Sequence, residues 1–422
     1  MLKDRYDNGI TTASQAAADA YSAAMDVMLA GQSGMAAAFE RVTQADPGFA
    51  LGWVGLARAH HFFGQGDEAL AAVTRAGTLT AGVSAREASH INAFTLLITG
   101  QGPAAYAAIR AHVDQWPRDA LVAQTCSSVF GLIGFSGKPG REAEILAFNA
   151  ALLPHYGDDW WLQSQYAFAL CETGNVEKAD QVIDRALAAN PANAHGVHVR
   201  SHIWYEAGAS EAGLSCLSTW LEDYPRDGLM YAHLYWHAAL WYLEQGDTEA
   251  MWARVDAAVS PDSGTISPAI NVLTDTASIL HRATMAGVPV DQARWQSVSA
   301  FAKRAFPATG NAFVDVHAAL SHAMAGDSEA LEQIIDHPAG PAADLVPDLA
   351  KGFRAIAARD WAAASAALTR AMGDLARIGG SRAQRDMVEQ SLLNTLVHEG
   401  RAREARDIAA LRRPILAAHV PT

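Results

Sequence analysis

The chain has 422 residues, half of them hydrophobic, with 31 Lys and Arg against 45 Asp and Glu and a formal net charge of −14. An acidic balance without any basic cluster excludes the phosphate-neutralising surface that a nucleic-acid partner requires. No run approaches the roughly 18 apolar residues of a membrane span, and Met1–Asp7 lacks the form of a leader peptide, so the chain is read as cytoplasmic with no membrane partner.

An Ala-rich sequence with no alternating apolar pattern predicts an all-α fold without strands. Near the N-terminus, Trp53, Leu56, Ala57 and Gly64 mark a first helix, and Ala69, Val73 and Ala76 a second. Pro117 to Pro154 reads as a further helix-turn-helix unit. The clearest signal follows: Gly174/Gly208, Ala179/Gly213, Ile183/Leu217, Ala186/Trp220 and Pro191/Pro225 all repeat at a spacing of 34. That is the tetratricopeptide period, in which small and apolar residues recur because each repeat buries its face on the next. Gly246-Asp247, Gly326-Asp327 and Gly400 mark later turns. The prediction is one domain over 1–422, an α-α superhelix of tetratricopeptide-like repeats curved around a central groove or cavity. The clearest repeats span 158–260 and a C-terminal helical cap covers about 342–422.

Two histidine pairs, His198/His202 and His233/His237, each spaced i,i+4, lie one repeat apart. Helical geometry puts His195, His198, His202, Tyr205 and Glu206 within an arc of roughly 100°, away from the stacking positions Ser201 and Trp204. His233, His237 and Glu244 share a face of the next first helix. Asp275 and Arg282 share another face, where they can pair or act together. Further along, either Asp315 caps a helix and His317 points inward, or Asp315 and His322 do. Imidazole titrates near neutrality, so this set can serve acid-base chemistry or hold an anionic ligand.

The catalytic candidates are therefore His198, His202, His233, His237, His317 and Asp315. The ligand-binding candidates are His195, Tyr205, Glu244, Asp275, Arg282 and Arg385. Metal ligation by the two pairs is weighed and set second, because neither belongs to HExxH; no metal and no cofactor is expected. His90 and His112 are read as structural, the tryptophans as packing residues and the three cysteines as buried thiols.

The chain resembles the tetratricopeptide repeat protein 38 family across nearly its whole length. The resemblance rests on His195–His202 before Gly208, His233–His237 before Leu243–Asp247, Asp275 with Arg282 and Gly287, Phe313–His317 before Gly326-Asp327, and Gly379–Asp386. Arg382 departs from that pattern, which has histidine there. The resemblance implies the curved helical fold and assigns no activity. Gln384-Arg385-Asp386 then reads either as an outer wall of the histidine site or as a helix start capped by Ser381. The leading functional expectation is a small-molecule pocket, with an enzyme using histidine acid-base chemistry as one form of it. The alternative is a scaffold binding a partner peptide in its groove, and association of copies is left open.

Overall fold

In the computed structural model, which describes residues 1–412, glycines at the predicted turns adopt the left-handed backbone that ends a helix. Gly174 and Gly208, at φ of 83° and 69°, close the first helices of the two aligned repeats. After each of them comes the second helix of its repeat, with Ala179, Ile183 and Ala186 buried in the first repeat and Gly213 and Leu217 in the second. Fully burying Ile183 or Leu217 contributes roughly 1.5–3 kcal/mol each, so the repeat spacing carries its own energetic reason.

The helices run as antiparallel pairs. They begin with α1 (Gln15–Leu29) and α2 (Met35–Ala45), α3 (Ala50–Phe62) and α4 (Gly66–Gly77), and α5 (Ala85–Ile98) and α6 (Gly102–Gln115). A short α7 (Ala120–Gln124) and an irregular stretch precede α8 (Arg141–Tyr156). Regular pairs resume with α9 (Trp160–Glu172) and α10 (Val176–Ala189), α11 (Ala194–Ala207) and α12 (Ser210–Leu221), and α13 (Tyr231–Glu244) and α14 (Thr248–Arg254). Then come α15 (Ala269–Met285) and α16 (Gln292–Ala305), α17 (Ala312–Ala325) and α18 (Ser328–Asp336), α19 (Val346–Ala357) and α20 (Trp361–Met372), and α21 (Arg382–His398) and α22 (Ala402–Arg412). The all-α superhelix is as expected. Part of the expected C-terminal cap, residues 413–422, lies outside the described residues.

Three details differ from the sequence reading. Residues Leu2–Lys3 (β1) and Gly9–Ile10 (β2) form a small antiparallel ladder. It is pinned by the Asp4 carboxylate, which accepts the N–H groups of Tyr6 and Asn8 at 2.8 and 3.0 Å. Pro154 sits inside the last turn of α8 and does not end the unit. Cys126 and Cys171 are buried, whereas Cys216 is exposed on the outer helix α12.

The superhelix curls until distant parts meet. The Ala194 N–H donates to the Ala30 carbonyl at 2.9 Å, joining the end of α1 to the start of α11. Arg141 donates to the carbonyls of Gly134 and Gly380 at 3.2 and 2.6 Å, and Arg377 to Gly137 at 2.9 Å. Helix α21 starts with Ser381 and Gln384 in a reciprocal capping box. It then packs back on α11 and α15, so the chain's own C-terminal part occupies the inside of the curve.

Candidate functional site

Helices α11 and α13 bring the two histidine pairs together. His198, His202, His233 and His237 are 8%, 1%, 3% and 1% exposed. One nitrogen from each lies within 4.8 Å of the others. The Nε2 atoms of His198 and His202 are 2.8 Å apart, and those of His198 and His233 3.1 Å. Phe168 from α9 packs against His198 and His202 at 5.4 and 4.9 Å between ring centroids, and Trp236 stacks on His233 at 5.1 Å. This is a buried cage, and burial, with the neighbouring imidazoles adding to it, holds His198, His202 and His237 well below the usual imidazole pKa.

The protons in this cage are limited. His233 Nδ1 donates to Asp275 Oδ2 at 2.7 Å, and its Nε2 faces His198. His198 Nε2 carries at most one proton to share between two neighbouring nitrogens. His202 Nδ1 and both nitrogens of His237 are buried without a hydrogen-bond partner among the described residues. Asp275, 1% exposed, is the carboxylate at the rim of the cluster. Burial raises its pKa while His233 pulls it down. With Nε2 pairs at 2.8 and 3.1 Å, no molecule of many atoms fits between the four nitrogens.

The other expected residues divide. Asp275 joins the cluster, but it pairs with His233 and not with Arg282. Arg282 turns to α21 instead, donating to the Ala383 carbonyl and to Gln390 Oε1, each at 2.7 Å. Its Nη1 also lies 3.4 Å from the Tyr205 hydroxyl, which donates to Asp386 Oδ2 at 3.0 Å. Tyr205 and Arg282 therefore tie the closing helix α21 to α11 and α15. Arg385 is a structural tie too, with the Gly380 carbonyl and Glu142 as partners. The Ser381 cap is present, as one of the two sequence readings had it.

His195, Glu244, His317 and Asp315 are not brought to the cluster. The His195 ring packs at the end of α1, where a Cβ on Gly31 would come within 3.0 Å of it. Glu244 ends α13 and is exposed, accepting from the Ser210 hydroxyl at 3.2 Å, because the helix carries it past the buried layer. His317 donates Nδ1–H to the Phe313 carbonyl at 2.7 Å and is buried in the C-terminal core. Asn311, not Asp315, caps α17. Asp315 and His322 instead line a separate cavity between α16, α17 and α18.

Sequence reasoning passed over a second buried cluster. Asp119 Oδ2 receives the Arg86 guanidinium, His90 Nδ1 at 2.9 Å and His112 Nε2 at 3.2 Å, and the other His112 nitrogen meets Ser89 at 3.0 Å. These residues come from α5, α6 and the turn before α7; the i,i+4 spacing of Arg86 and His90 on α5 is the one periodic signal for them.

No protein-family model matches the chain. Similar solved structures include human IFIT1, as a dimer with m7Gppp-AAAA, at 13% identity over 86% of this chain and 90% of that one, with a TM-score of 0.45. Yeast Tom70 is 12% identical over 95% and 84%, with a TM-score of 0.34. The tetratricopeptide domain of P58(IPK) is 14% identical over 92% and 99%, with a TM-score of 0.22. At such similarity, ligand and activity must be argued from this chain's own residues. No helix among the described residues is long and apolar enough to cross a membrane.

Proposed function

We propose that this tetratricopeptide-like protein binds a divalent transition metal through His198, His202, His233 and His237. The observation that carries the reading is the convergence of three Nε2 atoms at 2.8 and 3.1 Å in a buried cluster of four imidazoles. Tetrahedral zinc with nitrogen bonds of about 2.0–2.1 Å places its ligand atoms roughly 3.3 Å apart, so small rotations of the rings complete the site. Neutral imidazoles suit zinc, copper or nickel. Asp275 on His233 Nδ1 is the outer carboxylate that commonly orients a metal-bound histidine.

The small-molecule pocket expected from the sequence narrows in this proposal to an ion site, and metal replaces hydrogen bonding as the favoured chemistry. Four protein ligands make a closed site of the structural kind, which pins α11 to α13. The peptide-scaffold reading is disfavoured by α21 lying inside the curve. Membership of the tetratricopeptide repeat protein 38 family and a cytoplasmic setting belong to the same proposal.

Elemental analysis of the purified protein tests it, together with titration of chelator-stripped protein with zinc and cobalt. The expected result is one equivalent per chain, lost in the His198→Ala/His237→Ala variant. Stripped protein that takes up neither metal would overturn the proposal.

A further inference from the structure

A second site lies away from the histidines and does not depend on them. The end of α16, the loop 306–309, and the facing sides of α17 and α18 line a half-open cavity of about 630 Å³. That is within the range of roughly 300–1,000 Å³ typical of small-molecule sites. Phe306, Pro307, Ala318 and Ile334 supply an apolar wall.

The charged groups of the lining are Asp315, Asp327, Glu329 and Lys303, with His322 and His337 beside them. Lys303 Nζ pairs with Asp327 Oδ2 at 2.5 Å, which occupies the one basic side chain of known charge. Asp315 has no such partner among the described residues. The residue is 3% exposed, and its Oδ2 accepts the Gly310 N–H at 3.1 Å. His322 does not neutralise it, because its Nδ1 is engaged with the Ser299 hydroxyl at 2.8 Å and burial lowers its pKa to about 4. Burial raises the Asp315 pKa to about 6. A carboxylate withdrawn from water without a counter-charge is costly unless a cation reaches it.

We propose that this cavity binds a small organic cation, an amine or guanidinium on a short apolar chain, with Asp315 as its anionic anchor. The apolar wall takes the chain and the carboxylate takes the charged head, a charge-assisted contact in a partly dry setting. The volume is far larger than a bare inorganic ion needs, and the lining carboxylates Asp315, Asp327 and Glu329 do not converge on one point as the ligands of such an ion do.

Calorimetric titration of the full chain with agmatine and hexylamine, with hexanoate and hexanol as charge-changed controls, tests the assignment. Saturable binding of the two cations, and not of the controls, is expected. Asp315→Asn should weaken it about tenfold or more, the loss of one charge-assisted hydrogen bond. Ala318→Trp, which fills the cavity and leaves Asp315 in place, should abolish it. Circular dichroism establishes that each variant is folded, and if Ala318→Trp is not, Asp315→Asn decides. Cation binding that survives the substitutions would reflect the general acidity of the chain and overturn the proposal, as would the absence of saturable binding. Metal content should not change in either variant, so this test and that of the histidine centre fail independently.

Discussion

The two buried histidine clusters use similar side chains and are balanced in opposite ways. Around Asp119, a guanidinium and two imidazoles converge on one carboxylate oxygen, and Ser89 takes a remaining nitrogen. Around His198, four imidazoles face one another with Asp275 alone at the edge. In the first set a guanidinium answers the carboxylate, and His90 Nε2 is the ring nitrogen left without a hydrogen-bond partner among the described residues. In the second, among the described residues, no guanidinium or ammonium is paired with the cluster, and His202 Nδ1 and both His237 nitrogens have no such partner. Burial and residue type are shared, so it is how the ring nitrogens are partnered that separates a structural anchor from a candidate metal centre.

The largest expected effect tests the first half of that contrast. Asp119→Ala leaves a buried guanidinium and two imidazoles without their acceptor, and should cost about 3–5 kcal/mol in chemical denaturation. Metal content should be unchanged, and metal loss in this variant would erase the distinction. The acid dependence has a definite sign. Although burial alone would raise the Asp119 pKa, His90, His112 and Arg86 together hold it well below the usual carboxylate value. Its stabilisation is therefore fully present above about pH 4 and lost as pH falls through the lower folded value. Wild type should show this acid-unfolding component and Asp119→Ala should lack it.

A smaller effect sharpens the second half. Asp275→Asn keeps the side-chain shape and weakens the orienting bond on His233, so zinc affinity should fall about 10–100-fold. Competition with a chromophoric chelator measures this, and an unchanged affinity would remove Asp275 from the site. The smallest effect returns to the Asp119 cluster. Ser89→Ala removes a single hydrogen bond from His112 and should destabilise by about 0.5–1.5 kcal/mol with no change in metal affinity.

The repeat architecture was legible because it is local and periodic. Gly174 and Gly208, with Ile183 and Leu217, announce their turns and contacts by spacing alone. The convergence of the two histidine pairs follows from the same period, since i,i+4 pairs one repeat apart face each other across adjacent first helices. What failed was whatever depends on closure. Arg282 shares a helix face with Asp275, yet α21 captures it with Ala383 and Gln390 from more than 100 positions away. Glu244 had the right angle and the wrong height, because α13 ends there. Asp119 was invisible as an anchor because it lies in a turn outside the helix faces that carry Arg86 and His90 on α5 and His112 on α6.

The docking of α21 has a consequence in time. Tyr205 and Asp386 are separated by 181 residues, so their contact forms only after almost the whole chain is available. During synthesis, α11 and α13 leave the ribosome long before α21 follows. For an ion held by the four imidazoles, that interval is the open period for loading. Once α21 has docked, exchange requires local opening of the C-terminal pair. Metal release from the finished protein should then follow the rate of that opening and be insensitive to the concentration of competing chelator.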